Sequence, residues 1–336
     1  MDTSPHKSDF VNVNGIRLHY LDWGGSGDVL LFLPGMGCNA HIFDGFAPRF
    51  VDKFHVMALT RRGHGESDHP ETGYDVDTLT EDVYQFLAAL GIEKVILAGH
   101  SMAHVELSHF TVLHPEKVLK LVYLDAAYDR TSLAYKEMLE KNPLLKIQPP
   151  GLDVDYFTAE DYMAAMKRAY PGLASIWNEV MEEQSLHEIT ITPEGKVIDR
   201  MSDAVSQALN DTLRSYVPEE AKIKVPVLGI YAISNGPYYV SADWMTEEQR
   251  AQVREFFETD NYAWVQENIE QFRRNLPHAQ VLVLSEGHHY CFIKREEAVY
   301  NEMRNFLLDI LHKSVAQRFN QILCHGFHEF ARIFLN

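Results

Sequence analysis

From Phe10 to Gly99 short apolar runs alternate with stretches of helical periodicity, the pattern of strands linked in parallel through helices. FVNVN and IRLHYLDW predict two antiparallel strands, because Asn14-Gly15 between them readily takes the positive φ values of a tight hairpin. DVLLFLPG is apolar throughout, as a strand covered on both faces must be, and it ends in a Pro-Gly turn. FHVMALTRRGHGESD predicts a further strand running into a glycine-rich loop. A helix is expected over Thr78–Leu90: Thr78 can cap it, Glu81 completes a capping box, and Val83, Phe86, Leu87 and Leu90 share a face. KVILAGHS and KLVYLDAA are two more buried strands, with a helix beginning after Ser101.

Between about Tyr128 and Ile223 this rhythm stops, and Met, Tyr and acidic residues fall into short helical stretches that predict a cap over the sheet. Within it, HEITITPEGKVIDRM alternates around Pro193-Glu194-Gly195 and predicts a small hairpin. VPVLGIYAI and QVLVLSEGHHY resume the core strands, and Trp244–Leu276 between them is expected to be helical. The fold class is therefore α/β, a mostly parallel twisted sheet flanked by helices with an inserted helical cap. The expected division is 1–127 and 224–312 for the core, 128–223 for the cap and 313–336 for a C-terminal helical extension. That extension places Val315, Phe319, Ile322 and Phe330 near one face, which could pack on the body or pair two copies as a homodimer.

Charge and composition narrow the partners. A formal net charge of −18 disfavours nucleic acid and anionic membrane surfaces, and no stretch has the length of apolar residues that membrane insertion requires. MDTSPHKSDF carries no apolar leader, so a cytoplasmic enzyme is the expectation. Cys38, Cys291 and Cys324 are too few and too scattered for a disulfide framework. The 17 His form no His-Glu-x-x-His pair, so neither a metal nor any other cofactor is expected.

Chemistry concentrates at Gly99-His100-Ser101-Met102-Ala103. Small residues around a serine, directly after an apolar strand and before a helix, describe the sharp turn that holds a nucleophile in a strained conformation. A hydroxyl needs a base, and His288, following Gly287 just after the last strand, is the candidate, with His289 as a wall contact to substrate. The acid that orients the imidazole is less plain. No carboxylate follows VPVLGIYAI, where Ser234, Asn235 and Gly236 stand, so Asp125 after the preceding strand is preferred; Asn235 is the weaker alternative, and Asp243 and Asp260 are outside candidates. The amides of Met36, in LPGMGCN, and Met102 would stabilise an oxyanion. Tyr128 and Trp177 are expected to contact a small apolar or aromatic substrate, among cap residues that include Tyr135, Met138, Tyr162 and Tyr170.

LPGMG, TRRGHGESD, GHSMA and EGHHYCFIKREEAV together resemble the α/β-hydrolase superfamily over about Phe10 to Leu311, and within it the capped esterases and lactonases related to carboxylesterases. The resemblance implies a cofactor-independent serine hydrolase that cleaves an ester, lactone or related acyl bond of a small molecule through an acyl-enzyme. Haloalkane dehalogenases and epoxide hydrolases share the frame but carry Asp where Ser101 stands. Some dehalogenases place the acid after the strand before the cap, which lends a precedent to Asp125. Ala103 in place of a glycine, and the missing acid after VPVLGIYAI, depart from the pattern. Carbon-carbon bond hydrolysis or lyase chemistry on the same frame, or a ligand receptor with vestigial catalysis, are the rival readings.

Overall fold

The structure, a computed structural model, describes residues 6–147, 149, 154–233 and 242–309. Lys7–Val13 (β1) and Ile16–Gly25 (β2) form an antiparallel hairpin whose turn, Asn14 and Gly15, takes φ of 49° and 76° as expected. Val29–Leu33 (β3), His55–Leu59 (β4), Val95–His100 (β5), Val118–Leu124 (β6), Val227–Ala232 (β9) and Gln280–Leu284 (β10) complete one eight-stranded sheet in the order β1-β2-β4-β3-β5-β6-β9-β10. Every pairing from β4 to β10 along that order is parallel.

Alternation along each strand divides the core between the two faces. Leu30 and Phe32 of β3 and Ile96 and Ala98 of β5 join Phe43, Phe46 and Phe50 with Val299, Met303 and Phe306 of Glu296–Leu307 (α11). Leu31, Leu33, Val95 and Leu97 point the other way, onto Val83, Phe86 and Leu87 of Val76–Ala89 (α1) and Leu107 and Phe110 of His104–Leu113 (α2). Helix α1 begins two residues before the expected start. Asp75 rather than Thr78 caps it, accepting from the Thr78 amide at 2.9 Å, since a carboxylate satisfies an orphan N–H and also suits the positive end of the helix.

Among the described residues, five α-helices and a hairpin lie between β6 and β9. They are Leu133–Lys141 (α3), Ala159–Ala169 (α4), Pro171–Ala174 (α5), Glu179–Glu188 (α6), then Ile189–Ile191 (β7) paired antiparallel with Val197–Asp199 (β8), and Asp203–Ser215 (α7). The hairpin falls where the alternating residues placed it, with Gly195 at φ 83° in its turn. Before β10 come Glu247–Glu258 (α8), opened by a Thr246/Gln249 capping box, and Asp260–Asn275 (α9). Among the described residues no helix is long and apolar enough to cross a membrane. The C-terminal extension, Cys324 and Asn235 lie outside the described residues.

One buried acid has a consequence for stability. Glu220, 3 % exposed just ahead of β9, accepts a long 3.4 Å hydrogen bond from Ser108, and burial outweighs its hydrogen bonds and pushes its carboxyl up to about 7. A raised acid favours the folded state below its unfolded value near 4.5, and that contribution is lost as pH rises through about 7, with a ceiling of roughly 3 kcal/mol. Glu220→Gln is therefore expected to stabilise the chain at pH 8 and to flatten the fall in stability between about pH 4.5 and 7. Urea unfolding at pH 5 and pH 8 measures this; equal slopes with pH in both proteins would refute it.

Candidate active site

The carboxyl ends of β5, β6 and β9 bring the candidate residues to one edge of the sheet. His100 pairs with Leu124 across β5 and β6, and Leu124 pairs with Ile230 across β6 and β9. Ser101 and Asp125, the next residues along, therefore leave the sheet side by side, where parallel sheets place their ligand sites. Both hold φ values that side chains disfavour, 53° for Ser101 and 46° for Asp125.

The elbow tolerates Ala103 for a visible reason. A Cβ built on Gly99 would lie 2.8 Å from the Ala103 Cβ, so the glycine before the serine already provides the space, and Ala103 itself sits at helical φ −57°. The loop after β3 presses on the same turn. A Cβ on Gly35 would fall 3.1 Å from the Ser101 Cβ and 2.9 Å from His100 Nδ1, so only glycine lets Pro34–Cys38 approach this closely. Arg61, from the TRRGHGESD loop, holds that approach: buried with Glu106 of α2 in a 2.7 Å contact, it also donates to the Pro34 carbonyl at 2.9 Å. The side chains of Met36 and Met102 pack with Tyr74, Val105 and Leu209, so any oxyanion role belongs to their amides.

The histidine next to Asp125 is not the one the sequence favoured. His289 Nδ1 meets Asp125 Oδ2 at 2.7 Å, whereas His288 Nε2 donates to the Gly172 carbonyl at 3.0 Å and its Nδ1 accepts from the Tyr290 amide at 3.1 Å. Both nitrogens of His288 are thus engaged, and burial, with the neighbouring His289 opposing charge as well, lowers it to about 4, so it is a neutral tether between α5 and the loop after β10. The glycine that singled out His288 serves another purpose. A Cβ on Gly287 would meet the Ala232 Cβ at 2.7 Å, so this glycine lets the loop lie on the end of β9, and the residue two further on reaches Asp125. His289 is therefore no mere wall residue.

Asp125 is 5 % exposed and fully engaged: Oδ1 accepts from the Ala232 amide at 2.8 Å and from the Tyr128 hydroxyl at 2.7 Å, leaving Oδ2 for the imidazole. Tyr128, expected at the substrate, instead spends its hydroxyl on this carboxylate and stacks on Trp264. Burial, reinforced by the Asp125 charge, holds the phenol well above its usual range, so it remains a donor.

His100, read from sequence as a packing residue, does more. Its Nε2 donates to the His289 carbonyl at 3.0 Å and its ring lies 4.5 Å from the His289 ring, tying the loop after β10 to the residue before Ser101. Burial keeps it neutral. Its position directly before the serine was the only hint available in the sequence.

A cavity of about 350 Å3 opens on this edge, lined by His288, His289 and Tyr290 with Leu144, Ile147, Tyr170, Leu173, Trp244 and Met245. Tyr290 and Leu173 also border a smaller one of about 110 Å3, shared with Gly37, Met163, Met166 and Trp177. Tyr135 and Met138, also expected at the pocket, are buried instead with Val253 and Phe256 of α8.

A profile of the alpha/beta hydrolase fold matches residues 28–169. The profile and the likeness to solved structures show that this chain has the alpha/beta hydrolase fold. It is similar to a 2-(acetamidomethylene)succinate hydrolase of Mesorhizobium japonicum, 34 % identical over 115 residues that make up 34 % of this chain and 41 % of that protein. It is also similar to an N-formylmaleamate deformylase of Pseudomonas putida, 40 % identical over 93 residues, 27 % of this chain and 35 % of the relative. The chain thus spans about two fifths or less of the length of these curated relatives. A crystal structure of E-2-(acetamidomethylene)succinate hydrolase superposes with a TM-score of 0.69 at 23 % identity, covering 90 % of this chain and 99 % of the other.

Proposed function

We propose that the protein is a serine hydrolase of an acyl bond, with Ser101 as nucleophile, His289 as general base and Asp125 as the acid that orients it. The observation that carries this reading is the 2.7 Å contact of Asp125 with His289 Nδ1 at the strand end beside the strained Ser101. With Nδ1–H donated to the carboxylate, Nε2 is the nitrogen that takes the serine proton as the hydroxyl attacks the carbonyl carbon. The amides of Met36 and Met102 hold the developing oxyanion, the imidazolium returns its proton to the leaving group, and water activated by the same imidazole releases the acid. The helices between β6 and β9 act as a cap, and the mostly apolar lining of the larger cavity favours a small apolar or aromatic acyl group.

The bond type is the finer question. Esters and lactones suit the apolar cavity, while the substrates named for the two relatives add N-acyl compounds to the panel to be tried. Fluorophosphonate labelling followed by peptide mapping tests the nucleophile, and p-nitrophenyl esters of increasing acyl length, lactones and N-acyl amides rank the bonds. Ser101 is expected to carry the label, and Ser101→Ala to lose at least about 10⁴-fold in kcat with its melting temperature unchanged. Turnover near wild type in that variant removes Ser101 from the mechanism.

A further inference from the structure

Where helix α6 meets the loop that follows β3, imidazoles and carboxylates from distant parts of the chain converge. His41 lies on the single turn Ala40–Phe43 and is fully buried. Its Nδ1 contacts Asp44 Oδ2 at 2.9 Å, while its Nε2 is buried with no hydrogen-bond partner among the described residues. One face of the ring is stacked on His187 of α6 at 4.0 Å between centroids. Glu183, one turn earlier on α6, contacts His187 Nε2 at 3.3 Å, and a donor atom each from His41, Glu183 and His187 lie within 4.8 Å of one another. Glu66 stands 3.7 Å from His187 Nδ1.

We propose that His41, Glu183 and His187 bind a divalent transition-metal ion, of the zinc class, that fastens helix α6 to the loop after β3. Three features support it. An imidazole that donates Nδ1–H to a carboxylate presents an unprotonated Nε2, and this is the arrangement that orients metal-ligating histidines. A buried acceptor without a donor costs about 1–3 kcal/mol, a cost that a coordinated cation removes. Residues four apart on a helix project from one face, so Glu183 and His187 can chelate together. Two imidazoles and one carboxylate select zinc, nickel or copper over magnesium and calcium, whose sites are built of oxygen. Coordination brings the donors closer than they now stand and unstacks the His187 ring, whose side chain is 22 % exposed and not sealed in the core.

The ion would act on a joint that already exists. Asn39, two residues before His41, donates to the Gln184 carbonyl and to Glu188 of α6, both at 2.9 Å, and it lies three residues beyond Met36. Metal here would hold the same helix to the same loop from its next turn. None of this depends on the identity of the bond cleaved, or on Ser101 being active.

The full chain, stripped of metal, tests the site by titration with Co2+ followed by displacement with Zn2+, read by Co2+ absorption and calorimetry. Wild type is expected to take up one ion per chain with a ligand-field spectrum showing nitrogen ligands, and to melt at a higher temperature with Zn2+ but not with Mg2+. His187→Gln and Glu183→Gln are each expected to weaken binding by at least about tenfold. Serine labelling should persist in both. If His187→Gln lowers the melting temperature without metal, Glu183→Gln, which keeps size and surroundings, decides alone. Absence of uptake by wild type, or Zn2+ affinity in Glu183→Gln equal to wild type, overturns the proposal.

Discussion

Replacing His289 by Gln is expected to lower kcat by about 10⁴-fold or more, whereas the same change at His288 leaves kcat within about tenfold of wild type. The two side chains differ by one position and by everything around them. His289 has one nitrogen on Asp125, which fixes its tautomer and, in the proposed mechanism, stabilises the positive charge it acquires in the transition state. His288 has both nitrogens committed, one to the Gly172 carbonyl and one to the Tyr290 amide, and it has no carboxylate among these partners. Its loss should appear as a stability change of about 1 kcal/mol per hydrogen bond, because it ties α5 to the base loop. Steady-state kinetics and thermal melts on both variants separate the two roles. An inactive His288→Gln that melts like wild type, beside an active His289→Gln, would reverse the assignment.

Asp125→Asn carries the second large effect, a fall in kcat of about 10⁴-fold with little change in the fold. The Asn oxygen can still accept from the Ala232 amide and the Tyr128 hydroxyl, so the loop keeps its anchors. What changes is the other atom, an NH2 in place of the oxygen that contacts His289 Nδ1. A donor facing Nδ1 forces the proton onto Nε2, and the ring can then no longer accept the serine proton. The expected signature is a drop in kcat and in the rate of fluorophosphonate labelling together. Labelling at the wild-type rate would show that the carboxylate does not orient the base.

The pattern of apolar positions already contained the scaffold. Continuous runs such as DVLLFLPG can only be buried strands, Asn14-Gly15 can only favour a tight turn, and GHSMA between strand and helix announces a strained serine. Asp125 is preferred over Asn235, Asp243 and Asp260 because no carboxylate stands directly after β9. The choice between His288 and His289 could not be made in this way, since it turns on how closely Gly287 lies against Ala232, a distance set by the packing of one loop on one strand end. The same holds for Tyr128, whose ring looked like pocket lining and whose hydroxyl donates to the Asp125 carboxylate. His41 and His187 gave no signal at all. No motif spacing links them, and only the docking of α6 on the loop after β3 stacks their rings.

By itself the sequence determined the α/β class, the order of its elements and the two strand ends from which Ser101 and Asp125 emerge, because burial and turn chemistry are local and periodic. Tertiary structure alone decided which imidazole meets the carboxylate, which aromatic residues face the cavity and which histidines gather beneath helix α6. Those outcomes depend on approaches of a few ångströms between segments far apart in the chain, and no local preference encodes them.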